Sequence, residues 1–122
     1  VDEAFKLPYQ LYQEDILFCL GYSNSVMSTR NLPFYAGTSV AYGMDKEEAL
    51  KTITLNTAKI LRIDDQIGSI EVGKQATFFV SEGDALDMRT NKLSMAFIQG
   101  RRVTLEAMQQ QLYKKYKTKY GQ

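Results

Sequence analysis

DKEEALKTITLNTAKILRIDDQIGSIEVGK, Asp45 to Lys74, decides how this chain is read. Asp45 and Glu48 form a D-x-x-E capping box at a helix start. Ala49, Leu50 and Ile53 supply that helix with a buried face. Asn56 is placed to cap a second short helix whose apolar positions are Ala58, Ile60 and Leu61. Asp64 and Asp65 open a turn that Gly68 punctuates. Ile70 and Val72 alternate with Glu71 as in a half-exposed strand. Gly73 and Lys74 turn the chain into ATFFVS, Ala76 to Ser81, a further strand.

Upstream, Val1 to Asp15 reads as the end of a helix. Pro8 suits an early helical position better than a middle one. Ile16 to Tyr22, ILFCLGY, is a continuous apolar run of the kind covered on both faces in parallel sheets. Ser23, Asn24 and Ser25 make a polar loop after it. Asn31 is placed to cap the next helix, with Pro33 in its first turn. Small residues follow (Ala36, Gly37, Ser39, Ala41), which suit close helix packing, although Gly37 weakens the helix itself. Downstream, Glu82 to Lys92 reads as a polar loop, LSMAFIQ (Leu93 to Gln99) as a strand, Gly100 as a turn and Val103 as part of a short return strand. Thr104 is placed to cap a last helix with Leu105, Met108, Leu112 and Tyr116 on one stripe.

A chain of 122 residues fits one domain with a core. Its 44% hydrophobic content argues for a folded protein rather than a disordered one. A net charge of +1 gives no overall pull toward nucleic acid. The longest apolar run is far too short to span a bilayer. The chain begins with neither Met nor a signal segment, so Val1 is expected to follow a cut from something longer. Cys19, the single cysteine, reads as a buried thiol and leaves the compartment open.

The sequence contains no histidine. That excludes His-based acid–base catalysis, Ser-His and Cys-His pairs, and His-ligated zinc within these residues. Thr38 and Ser39 have no base to activate them. Asp84 and Asp87 read as turn residues rather than a cation site. Lys114 to Lys119, set among Tyr113, Tyr116 and Tyr120, read as a solvated helix end, where cations complement the helix dipole. The rival reading of that cluster is a surface for phosphates or anionic lipid. Tyr22, Tyr35 and Tyr42 read as packing residues, and Arg101-Arg102 as part of a hairpin.

The ordered combination of NLPFYAGTSVAYGMDKEEALKTITLNTAKIL (Asn31 to Leu61), IDDQIGSIEVGKQATFFV (Ile63 to Val80), GDALDM (Gly83 to Met88) and AFIQGRRV (Ala96 to Val103) resembles the C-terminal portion of the amidohydrolase superfamily, imidazolonepropionase-like members in particular. The likeness runs from about Ile16 onward. It implies an α/β to α+β fragment. Residues 1–62 would be the end of a (β/α)8 barrel, with Ile16 to Tyr22 as its last strand. Residues 63–104 would be the C-terminal part of a small composite β-sandwich, and 105–122 a terminal helix with a basic tail.

The resemblance also implies a parent that hydrolyses non-peptide C–N bonds, such as cyclic amides, with a zinc-like divalent metal held by histidines on earlier strands. No cofactor or metal ligand is assigned within these residues. Asn24 matches the position of the family's strand-eight aspartate, which binds metal and takes the proton of the attacking water. An amide cannot accept that proton. Gln75 and Thr77 likewise stand where acidic residues are common in the family. The expected partner is the rest of the parent chain, with self-association of the isolated piece because a cut barrel exposes apolar faces. No nucleic-acid partner and no membrane span are expected. The alternatives are a non-catalytic homologue that kept the fold, and a free-standing interaction domain with a basic helical tail.

Overall fold

The computed structural model describes residues 2–23 and 26–121. Helices come first and a small sheet follows. Helix α1 spans Glu3–Gln13 and contains Pro8 in its interior rather than its first turn. Asp15 then takes a positive φ of 53°, which reverses the chain into residues 16–22. A 3-10 turn, Val26–Asn31, leads directly into α2, Leu32–Ala41. Because the chain is already helical at Asn31, its side chain makes no capping bond there, while Pro33 does sit at the helix start.

Helix α3, Lys46–Lys51, starts as its sequence requires. The Asp45 carboxylate accepts from the backbone N–H groups of Glu47 and Glu48. The reciprocal half of the box is not formed, because Glu48 pairs with Lys51 at 2.6 Å. Helix α4, Leu55–Ile60, begins two residues earlier than expected, with Thr54 rather than Asn56 at its cap position. Asn56 therefore lies inside the helix, and its Nδ2 donates to the Phe18 carbonyl at 3.2 Å.

The core is built from small and flexible residues. Ala36, Met44, Ala49 and Leu86 form its buried centre, with Tyr9, Phe18, Leu20 and Leu50 packed around them. Alanines let α2 and α3 approach closely. Leu86 is 5% exposed although it lies in the stretch 82–92, which reads as a polar loop. Gly37 explains how the loop gets in. A Cβ on Gly37 would stand 2.1 Å from the Leu86 carbonyl oxygen, so only a glycine admits that backbone.

Residues 63–75 are a series of turns, and the expected Ile70–Val72 strand is not formed. The Gln75 N–H donates to the Gln66 carbonyl at 2.8 Å, and Lys74 Nζ reaches Glu71 at 2.6 Å. These bonds hold the segment as a closed loop, leaving Ile70 87% and Val72 108% exposed. Gly68 is confined twice over: its φ is +98°, and an added Cβ would meet the Ala58 Cβ at 2.7 Å.

The sheet has three antiparallel strands in the order β1 (Phe78–Ser81), β2 (Leu93–Ile98) and β3 (Arg101–Arg102). Phe78 pairs with Phe97 and Val80 with Met95, with a register shift between Val80 and Ser81. Gln99 and Gly100 both take positive φ, 50° and 76°, as a two-residue hairpin turn demands. Helix α5, Met108–Tyr120, starts after Ala107 rather than at Thr104. The Ala107 N–H donates to Gln110 Oε1 at 3.0 Å, which fixes that start, and Leu105 lies before the helix.

Candidate functional site

The run Ile16 to Tyr22 leads to the position with the strongest sequence claim on chemistry. It is not in a sheet: no strand pairs with it among the described residues. The parallel neighbours that such a run needs are not supplied by the three short strands, which pair among themselves. The run is held instead from the helical side. The Leu20 N–H donates to the Thr52 carbonyl at 3.1 Å, and Asn56 holds the Phe18 carbonyl. Thr52 is fully buried, and its own hydroxyl donates to the Ala49 carbonyl at 2.6 Å. The α3–α4 junction is thus a fixed clamp on one edge of the run.

At the end of the run, Tyr22 donates its phenol hydrogen to the Tyr35 hydroxyl of α2 at 2.5 Å. The rings are tilted, with centroids 5.4 Å apart. This bond raises the Tyr22 phenol above its ordinary value, with desolvation a smaller cause in the same direction. Both rings remain 40% exposed. Two residues read as packing groups therefore tie the end of the run to the helix beyond the loop. Asn24, the matched strand-eight position, lies outside the described residues.

A groove of about 460 Å³ is bounded by α2 and the 84–89 loop. Lys46 Nζ meets Asp84 Oδ2 at 2.6 Å, and Arg89 meets Asp87 at 2.8 Å. The two aspartates also accept the backbone N–H groups of Leu86 and Arg89, each at 2.9 Å. Lys46 is the main cause of the lowered Asp84 carboxyl, followed by the Leu86 N–H. The Arg89 guanidinium, followed by the Arg89 N–H, brings Asp87 to about 2. Both aspartates are turn residues, as their sequence setting implies. The Lys46–Asp84 pair ties the loop that carries Leu86 to the start of α3, whereas the Asp87–Arg89 pair lies within the loop.

The amidohydrolase family profile matches residues 11–107. The chain belongs to the amidohydrolase family. It is imidazolonepropionase-like: an imidazolonepropionase of Shewanella baltica is 57% identical over 37 residues, which make up 30% of this chain and 9% of that protein. One from Shewanella frigidimarina is 54% identical over 37 residues. Among solved structures, an amidohydrolase from Thermotoga maritima superposes with a TM-score of 0.75 at 33% identity, covering 82% of this chain and 26% of that one. Molinate hydrolase superposes with a TM-score of 0.54 at 32% identity, covering 65% of this chain and 17% of that one. The chain therefore spans about a tenth of the curated relatives it matches and a quarter of the Thermotoga maritima structure.

This family is generally metal-dependent, so the donor set of the chain is the relevant test. Among the described residues no three His, Cys, Asp or Glu side chains are grouped to hold an ion. The sequence offers no histidine, and the best-placed aspartates are already bonded to cations and backbone N–H groups. These residues do not fit a hydrolytic metal centre.

Sequence reading overlooked Leu86, Thr52 and the role of Gly37. A lone leucine among Asp, Gly and Asn gives no periodic signal. The glycine was the available clue, because a glycine inside a helix often marks a close backbone approach.

Proposed function

We propose that these residues are the C-terminal part of a metal-dependent hydrolase acting on non-peptide C–N bonds of the cyclic-amide, imidazolonepropionase-like kind. The observation that carries the reading is the family match across residues 11–107, together with an amidohydrolase structure that superposes on 82% of this chain at 33% identity. In this reading residues 1–62 close a (β/α)8 barrel, 63–104 are the C-terminal part of a small composite β-sandwich, and 105–122 are a C-terminal helix with a basic tail. The run 16–22, held on one side by the α3–α4 junction and paired with no strand among the described residues, supports its assignment as a barrel strand. The family likeness gives Asn24 the strand-eight position, and barrel enzymes place their chemistry at that end of the strands. The metal ligands lie outside these residues.

The 122-residue chain alone is therefore inactive. The test is metal analysis after zinc loading, with amidase assays on cyclic amides. Stoichiometric tightly bound zinc with turnover would sink the proposal. The same reading makes the isolated chain self-associate through surfaces the rest of the parent would cover, Ile16, Leu17 and the β1 residues among them. Light scattering should report a mass above the monomer at high protein concentration; a persistent monomer contradicts it.

A second reading, a non-catalytic homologue, is favoured by one specific residue. Asn24 stands where the family's proton-accepting aspartate is expected, and an amide cannot take a proton from water. The complete parent with Asn24→Asp decides between the two. Turnover gained only in the variant supports the non-catalytic reading, and turnover in the unaltered parent rejects it.

A further inference from the structure

Helix α5 stands apart from everything the family assignment explains. The family match stops at residue 107, and α5 begins at Met108. It packs against no other helix or strand among the described residues. Its charge is also set apart. Residues 108–122 carry four lysines and no acid, so their formal charge is +4 in a chain whose total is +1. The remaining 107 residues therefore sum to −3.

The helix is organised around its circumference. Met108, Leu112, Tyr116 and Tyr120 recur every four residues, and Tyr113 adjoins them. At 100° per residue these positions form a single stripe. Lys115 borders it on the Met108 side and Lys117 on the Tyr113 side, while Lys119 falls near its edge between Met108 and Leu112. All five stripe residues are exposed. Lys117 and Lys119 fold their ammonium groups over the Tyr113 and Tyr120 rings, with Nζ 5.7 and 5.3 Å from the centroids. Lys114, on the far side, is fastened to Glu106.

We propose that α5 is an interfacial anchor that lies in the headgroup layer of an anionic membrane. Aromatic rings with a polar edge and lysines with long apolar stems suit that layer, each keeping its charged or hydroxyl tip in water. Lysines bordering the stripe reach acidic headgroups while the stripe enters the acyl boundary. A second copy of α5 is a poor occupant, because like charges would meet with no acid in the helix to offset them. A single nucleic-acid strand would use the tyrosines by stacking but leaves Met108 and Leu112 without a role. The proposal is independent of the hydrolase reading, since α5 lies outside the family match.

The test is co-sedimentation of the full 122-residue chain with phosphatidylcholine vesicles, with and without about a quarter phosphatidylserine. Binding to the acidic vesicles at low salt is expected, falling steeply as salt rises. Each lysine near an acidic surface contributes about fivefold, so Lys115→Gln, Lys117→Gln and Lys119→Gln together lower affinity about a hundredfold. Tyr116→Ser with Tyr120→Ser, which keeps every charge, must also weaken binding. Circular dichroism of each variant checks that the helix persists. Three results would overturn the proposal: no binding to acidic vesicles, tyrosine variants that bind as well as the parent, or a single-stranded oligonucleotide that outcompetes the vesicles.

Discussion

Ala36 and Ala49 are fully buried between helices, whereas Phe78, Phe79 and Val80 are each more than a third exposed on a strand that is properly paired. The helical region closes a core from its smallest side chains, because a loop from the other region lowers Leu86 onto them. The sheet does the reverse. Its ladder satisfies the backbone, and Phe78 meets Phe97 across it with tilted rings 5.1 Å apart, yet Phe78 stays more than a third exposed. Hydrogen bonding sets the register of strands, but a sheet face becomes a core only when a second layer covers it. Local order and burial are therefore separate properties in this chain.

The contrast breaks most completely at Gly37. Gly37→Val forces a branched side chain against the Leu86 carbonyl, 2.1 Å from where its Cβ would stand, and is expected to cost about 3 kcal/mol. Gly21→Val, with nothing within 4 Å of the new Cβ, should stay within about 0.5 kcal/mol. Urea denaturation followed by circular dichroism measures both, and equal costs would refute the close-approach account. Next comes a matched pair of truncations. Leu86→Ala should cost about 3 kcal/mol. Val72→Ala, at a fully exposed position, should cost less than about 0.5 kcal/mol. A similar loss at both sites would mean that Val72 is covered in solution.

Smaller effects sharpen the picture. Asp45→Ala removes the acceptor for two N–H groups at the start of α3 and should cost about 1 kcal/mol by the same measurement. The least effect is a pH dependence at the loop. Asp87 is held at about 2, below its ordinary 3.8, chiefly by Arg89. A lowered carboxyl stabilises the fold above the unfolded value, and that stabilisation is lost as pH falls through about 2. The thermal midpoint should therefore drop between about pH 4 and pH 2. Asp87→Asn should flatten part of that drop, and an unchanged profile would show that the Arg89 pair carries no stability.

Elements whose bonding is local could be read from the sequence. The Asp45 cap, the Pro33 helix start and the Asp84 and Asp87 turns depend on neighbours a few residues away; β1 and β2 are marked by their own apolar composition, although their ladder partners lie further along the chain. What could not be read depends on distant partners. Asn56 has the chemistry of a cap, yet it serves a carbonyl 38 residues upstream. Ile70 and Val72 alternate like a strand, yet the Gln66–Gln75 bond curls them into a turn. The run 16–22 has strand composition, yet the α3–α4 junction that holds one edge of it lies far downstream in the chain. For the candidate site, the sequence located the end of that run. It gave no sign that Tyr22 and Tyr35 would join there.

The two glycines of GSIEVG differ in what they would forgive. Gly73, at φ +93° with open space around it, is demanding only about backbone handedness, so asparagine is a tolerable replacement. Gly68 faces a wall as well: Ala58 closes on it from α4, and no side chain of any shape fits. A library randomised at both positions and selected for soluble protein should therefore return a short alphabet at 73 and a single letter at 68.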